Sequence, residues 1–367
     1  MTPSSARYLD KLASLRFFAA FMVVIFHMGR IAAHYSNHLQ YAYAMVYAYG
    51  YMGVSIFFVL SGFVISHANE NWKGWKKYLI GRITRVYPPH WIVTFSFGLI
   101  TVVMLFKSEG IHVYSLLKFI SNLLLVQAWF PAPAYHFSLN IVTWSLSVEI
   151  FFYMSFIFFR KLQDKYIFLL AILSYLAILF WLITTHQAWN PKMHWELYIN
   201  PIARLPEFLT GMSVYRLYKL RRLPRLWLPQ FNFIFILAAM IAVAAVAGEF
   251  FNMGFTFKDP YTYTIIPIPF VFLMMIALLD EESNSYMRNK ILVLLGESSF
   301  ALYLIHRFII RFVDFAFGNL IYVNGVVTIF FMLLILVLSI GVSIGFYKFI
   351  ELPITKYLKN YFIEKFT

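Results

Sequence analysis

Ten stretches of about 20 mostly apolar residues follow one another along this chain, each long enough to cross a bilayer as a helix. They run over 13–34, 51–68, 86–106, 141–159, 166–185, 198–217, 230–249, 261–280, 291–312 and 325–348. Hydrophobic residues make up 61% of the 367 and charged residues only 13%, so a soluble globule has too little polar surface to cover these runs. The same numbers exclude disorder and a coiled coil. The expected fold is all-α: a polytopic membrane helix bundle of about ten transmembrane helices, forming a single domain over 1–367. An eleventh apolar segment, 112–130, ends at Pro131 and Pro133 and reads as re-entrant or interfacial. The first run carries Arg16 and His27 and lacks a small-residue cleavage site, so it reads as a span and not as a cleaved signal.

A formal charge of +14 invites a nucleic-acid reading until the charges are located. With the N-terminus placed inside and charges near span ends counted with the segment they adjoin, 21 of the 30 Lys and Arg fall in inside segments, 5 in outside segments and 4 within spans. Excess Lys and Arg on the cytoplasmic side fix orientation. The bias therefore predicts both termini in the cytoplasm, keeps 112–130 from spanning, and removes nucleic acid as a partner. The chain has no Cys, which excludes disulfides, thiolate metal sites, iron–sulfur clusters and an acyl-cysteine intermediate. No metal-binding spacing stands out.

Ionisable groups inside a bilayer are expensive, so each is a candidate functional residue beside its plain alternative, a buried pair that fixes packing. Arg16 and His27 are eleven residues apart, which puts them on one helix face about 16 Å apart along the axis. His27 lies about 10 Å below the outer surface and Glu149 about 12 Å. Arg204 and His306 fall at similar depth, so four polar groups share one layer in the outer half. Arg204 and Glu207 are i, i+3 and can satisfy each other on one helix, which favours the packing alternative. Arg82 and Arg85, one turn apart, suit phosphate oxygens, although ordinary inside charge explains the spacing as well. His34, His38, His136, His186 and His194 lie in outer segments and read as solvated loop residues.

Several segments in order resemble the integral-membrane acyltransferase-3 family of bacterial acyl-CoA-dependent O-acyltransferases. They are Leu9-Asp10-Lys11-Leu12-Ala13-Ser14-Leu15-Arg16 through His27, Gly53-Val54-Ser55-Ile56-Phe57-Phe58-Val59-Leu60-Ser61-Gly62-Phe63, and Arg82-Ile83-Thr84-Arg85-Val86-Tyr87-Pro88. Then come Trp144-Ser145-Leu146-Ser147-Val148-Glu149 with Phe152-Tyr153, Arg204-Leu205-Pro206-Glu207-Phe208-Leu209, Leu302-Tyr303-Leu304-Ile305-His306 and Glu351-Leu352-Pro353. Together they cover positions 9 to 353. The chain departs from the family pattern at Phe17, Ser55 and Ile150. About twenty residues follow the last span, so the esterase-like domain of longer members is not expected.

The resemblance implies acyl transfer, usually of acetyl, from cytoplasmic acyl-CoA to a hydroxyl of an envelope or surface glycan, in the bacterial inner membrane. It implies an essential His at His27, donor-binding arginines at Arg16, Arg82 and Arg85, and the acid of a fourth-span motif at Glu149. On this basis His27 is the expected general base and Glu149 its orienting partner. Ser61, Tyr153, Arg204, Glu207 and His306 are expected in supporting or acceptor-side roles. Acyl-CoA is a co-substrate and no bound cofactor is expected; the other partners are a glycan or lipid-linked sugar and membrane lipid. Ser61 leaves an acyl-enzyme route open, while its neighbour Gly62 suggests close helix packing instead. A proton-coupled transporter or flippase is the rival class, because buried His, Glu and Arg in one layer also describe a proton relay.

Overall fold

The computed structural model describes residues 3–32, 48–105, 113–185, 191–223, 232–250, 263–280 and 284–366. Histidines 34, 38 and 186, and most of the outer segment 35–50, lie outside the described residues. Among the described residues the chain is helical throughout and forms no strand. The long elements are α1 (Pro3–Ala32), α2 (Gly53–Ala68) and α3 (Trp75–Leu105). After the shorter α4 (Val113–Leu123) and α5 (Pro133–His136) come α6 (Trp144–Phe159), α7 (Asp164–Thr185) and the one-turn α8 (Pro191–His194). The chain continues through α9 (Leu205–Lys219), α10 (Asn232–Phe250), α11 (Pro267–Leu279), α12 (Lys290–Glu297), α13 (Ser299–Ile321), α14 (Gly325–Phe346) and α15 (Leu352–Phe366).

Burial sorts these helices into centre and rim. In α2, 72% of the apolar window is buried, against 17% in α7. Large apolar side chains of α7 such as Leu173, Leu176 and Phe180 stay exposed, as do Phe330, Leu333 and Val337 of α14. An apolar outer face with a buried centre is what a bundle shows when lipid is its solvent. The close partner of α2 is α9. A Cβ on Gly62 would strike the Phe208 carbonyl, and one on Gly211 would strike the Val59 carbonyl. The two glycines lie at one crossing, where the backbones approach too closely for any side chain.

The segments that carry the basic excess gather at one end. Lys219 pairs with Glu70 at 3.1 Å and Arg216 with Asp164 at 3.1 Å. Lys11 donates to the Asp280 carbonyl at 2.5 Å. At the opposite end the Trp195 indole donates to the Ala128 carbonyl at 3.0 Å, and His194 packs on Phe137. These contacts join segments expected inside with one another and segments expected outside with one another.

Several apolar stretches differ from their predicted limits: 198–217 is broken between a π-helical turn, Trp195–Ile199, and α9 at Leu205, 261–280 is helical over Pro267–Leu279, and two others change where site residues stand. The helix expected to begin at 86 begins at Trp75, so Arg82 and Arg85 lie on α3 itself, ahead of Pro88 and Pro89 within the same helix. The stretch 291–312 is two helices, α12 and α13, broken at Ser298, and α13 continues to Ile321. The break follows from tertiary contact: a Cβ on Gly296 would collide with the Ala13 carbonyl, so α12 lies directly on the α1 backbone. Helix α4 has 11 residues, about 16 Å, half the thickness of a hydrocarbon core. The segment after it folds back. The Asn122 side-chain amide donates to the Ser138 carbonyl and the Thr143 hydroxyl, both at 3.0 Å, and the Asn122 main-chain carbonyl accepts from the His90 ring at 2.9 Å.

Candidate active site

A cavity of about 1050 Å³ opens at the basic end. Its wall combines the α2–α3 turn, the first half of α3, Glu297 and the face of α15. A π-helical turn, Tyr347–Glu351, joins α14 to α15 and puts Tyr347 and Glu351 on this wall. Extra-residue turns of this kind recur at functional sites because they rotate side chains out of helical register. Lys73, Lys77, Arg82, Arg85 and Lys359 supply positive charge, and Glu70, Glu297 and Glu351 oppose it.

A narrower pocket of about 90 Å³ continues toward the bundle centre. It is lined by Phe57, Ser61, Ser145, Glu149, Tyr153 and Tyr303, among others. Arg16, Val64, Arg82 and Arg85 border both spaces, so all three arginines singled out in the sequence stand at the junction. Arg16 lies within electrostatic reach of Arg85, Glu149 and Arg82. The Arg82 guanidinium lies 5.7 Å from the Tyr78 ring and 5.9 Å from the Tyr153 ring, a contact that holds a cation without neutralising it.

Glu149 is placed differently from its expected role. Its Oε1 accepts a 2.6 Å hydrogen bond from the Tyr153 hydroxyl, one helical turn along α6, and its carboxylate belongs to the arginine-lined pocket. It forms no hydrogen bond to His27. His27 meets His306 instead: Nδ1 of His27 lies 3.1 Å from Nε2 of His306 and 2.9 Å from the Val23 carbonyl. The reason is rotational. The α1 face carrying His27 turns toward α13, while Glu149 is on α6, which packs on α2 and α3. Of the four polar groups expected in one layer, two are thus in direct contact, and the other two have partners of their own.

Arg204 is fully buried. It pairs with Glu207 at 2.7 Å and donates to the Tyr263 carbonyl at 2.6 Å, the Ser55 hydroxyl at 3.0 Å and Thr264 at 3.3 Å. Its guanidinium sits between the rings of Phe58 and Tyr198. This is the packing alternative: a brace joining α2, α9 and the chain before α11. Ser61 and Gly62 divide the roles considered for them. Gly62 makes the close crossing, while the Ser61 hydroxyl lies on the pocket wall, buried, with no hydrogen-bond partner among the described residues.

Tyr303 and Ser145 join the site without having been singled out. The two hydroxyls are 2.7 Å apart, and the Tyr303 ring lies 6.1 Å from the His306 ring and 5.7 Å from Phe57. Tyr303 thus stands between the pocket and the histidine pair. Its spacing of three residues before His306 was the available signal, because it puts both on one helical face. Two outer histidines expected to be solvated are buried. His136 bonds the Phe130 carbonyl at 3.0 Å, and His194 packs among Phe137, Tyr198 and Tyr263. Burial pushes His194 down to about 3, with His136 a smaller contribution, so it is neutral and not an anion ligand.

Comparison with known proteins gives the family of the chain. Residues 9–348 match the family defined by an acyltransferase domain. The chain is 28% identical over 332 residues to the acyltransferase MdmB of Streptomyces mycarofaciens, covering 85% of this chain and 81% of that protein. It is 25% identical over 311 residues to the putative acetyltransferase ORF330 of Acidianus two-tailed virus, covering 83% and 84%. It is 24% identical over 378 residues to the O-acetyltransferase OatA of Staphylococcus aureus, covering 96% of this chain and 58% of that one. No solved structure matches. With the family match spanning nearly the whole chain and the seven sequence segments lying within or just beyond it, the chain belongs to the acyltransferase-3 family of membrane proteins.

Proposed function

We propose that this chain is an O-acyltransferase of the bacterial cytoplasmic membrane. It takes an acetyl group from acetyl-CoA at the basic end and delivers it to a hydroxyl of an envelope glycan. The observation that carries the reading is the junction of the two cavities at Arg16, Arg82 and Arg85. A basic chamber narrows at three arginines into a pocket whose far wall, Tyr303, touches the histidine pair. A donor with phosphates at one end and a thioester at the other fits such a shape. Arg82, Arg85 and the neighbouring lysines hold the phosphates through charge-assisted hydrogen bonds. The pantetheine arm follows α1 from Arg16 toward His27, about 16 Å further along the axis.

His27 acts as the base. It takes the proton of the acceptor hydroxyl as that oxygen bonds to the thioester carbon. The C–S bond breaks, and the proton passes to the departing sulfur, giving an ester and free CoA thiol. A thioester is reactive enough for direct attack, so no acyl-enzyme is required. Glu149, held by Tyr153 in the arginine-lined pocket, balances the charge of Arg16 at the donor's side of the reaction. Two relatives named as acetyltransferases, ORF330 as a putative one and OatA, support the choice of acetyl.

The test uses the absence of Cys: every thiol that appears in a reaction of the purified protein comes from the donor. Protein in detergent is mixed with acetyl-CoA carrying a labelled acetyl group and with a glycan extract of the host envelope. The expected result is thiol release matched by base-labile label in the glycan fraction. Label that stays on CoA, together with no acetyl-CoA binding, would remove the donor assignment.

A further inference from the structure

Protonation of the His27–His306 pair is fixed by which partners can only accept. His306 Nδ1 lies 3.0 Å from the Leu302 carbonyl oxygen, and a carbonyl has no proton to give. Nδ1 of His306 therefore carries the hydrogen, and in the neutral ring its Nε2 is a bare lone pair. That lone pair faces Nδ1 of His27 at 3.1 Å, so Nδ1 of His27 is the donor. The Val23 carbonyl, 2.9 Å from the same Nδ1, requires the same hydrogen independently. Two acceptors on two helices thus agree on one tautomer of His27, with Nδ1 protonated and Nε2 free to take a proton. A doubly protonated His306 does not fit, because it would turn an N–H toward the Nδ1–H of His27.

We propose that His306 is the positioning residue of the acyl transfer. It holds His27 in the tautomer and ring orientation whose Nε2 receives the acceptor's proton, the part that triad logic gives to a carboxylate. The inference rests on the reading of His27 as the base. His306 has no exposed surface, whereas His27 is only partly buried, as expected of a supporting ring behind a reacting one. The rings are tilted by 47°, with centroids 5.0 Å apart, an edge approach that aligns ring nitrogens and does not stack faces. When Nε2 of His27 gains a proton, Nδ1–H still points at two acceptors; Arg307 is the charged group within electrostatic reach of both rings.

Two variants separate positioning from packing. His306→Phe keeps a ring and removes the acceptor; His306→Gln keeps an acceptor on a shorter polar chain. Steady-state CoA release with acetyl-CoA is expected to show kcat down about 10- to 100-fold in His306→Phe, the range typical of lost supporting hydrogen bonds. The KM for acetyl-CoA should be unchanged, and His306→Gln should recover most of the loss. Equal kcat in wild type and His306→Phe overturns the proposal. So does an equal loss in both variants accompanied by a matching fall in melting temperature, which is a packing role. Nitrogen-15 NMR of histidine-labelled protein, with His27 assigned from His27→Ala, reads the tautomer directly: protonated Nδ1 and bare Nε2 are expected, and the reverse overturns the pairing. A wild type that releases no CoA would defeat the functional reading, while the NMR result would still decide the tautomer.

Discussion

Arg204 and His27 are both ionisable groups inside the bundle, yet their surroundings assign them opposite tasks. Arg204 has its two terminal nitrogens engaged by a carboxylate, a carbonyl and two hydroxyls, lies against two rings, and has no exposed surface to offer a substrate. Its removal leaves Glu207 as a buried charge without its cation. Arg204→Met is expected to destabilise the protein by about 3–5 kcal/mol, and Arg204→Met with Glu207→Leu by clearly less, since the uncompensated charge goes too. Melting in detergent checks this; equal losses in the single and double variants would mean that the pair itself is not what holds the brace. The i, i+3 spacing of this pair was readable in the sequence because both residues lie on one helix. The partner of His27 was not. Glu149 and His306 are distant in sequence from His27, and their depths in the membrane were alike. Which of them faces α1 depends on helix rotation, and that is set by packing contacts that no local pattern encodes.

At the scale of elements, apolar length located the helices well and their limits less well. A hydropathy pattern registers where lipid-compatible residues run, not where a helix ends. It missed the amphipathic start of α3 at Trp75, where Arg82 and Arg85 sit, and the break between α12 and α13 at Ser298. The break arises because Gly296 lets α12 rest on the backbone of α1 near Ala13, and α13 then leaves in the direction that brings Tyr303 and His306 to the site. Gly296→Ala forces that contact apart. It should cost about 1–3 kcal/mol, the usual range for overpacking a tight contact. CoA release should also fall, because the start of α13 moves with the junction. A Gly296→Ala protein with wild-type melting and wild-type turnover would show that the junction is not rigid. Gly62→Ala at the α2–α9 crossing is expected to lower stability in the same range.

For the whole molecule, the all-helical character read from the sequence carried through; among the described residues four helices are long and apolar enough to cross a membrane, and three more are apolar but shorter. Basic residues also line one large cavity. That lining bears on function, since Arg82 and Arg85 belong to it. Arg82→Ala is expected to raise the KM for acetyl-CoA about tenfold with kcat largely kept, the pattern of a lost binding contact. The most direct test of the central claim is steady-state CoA release by the purified, thiol-free protein over a range of acetyl-CoA concentrations, comparing wild type with His27→Ala. His27→Ala is expected to bind acetyl-CoA with wild-type affinity while kcat falls at least about 100-fold, the lower bound for removal of a general base. Turnover in His27→Ala within a few-fold of wild type would contradict that claim.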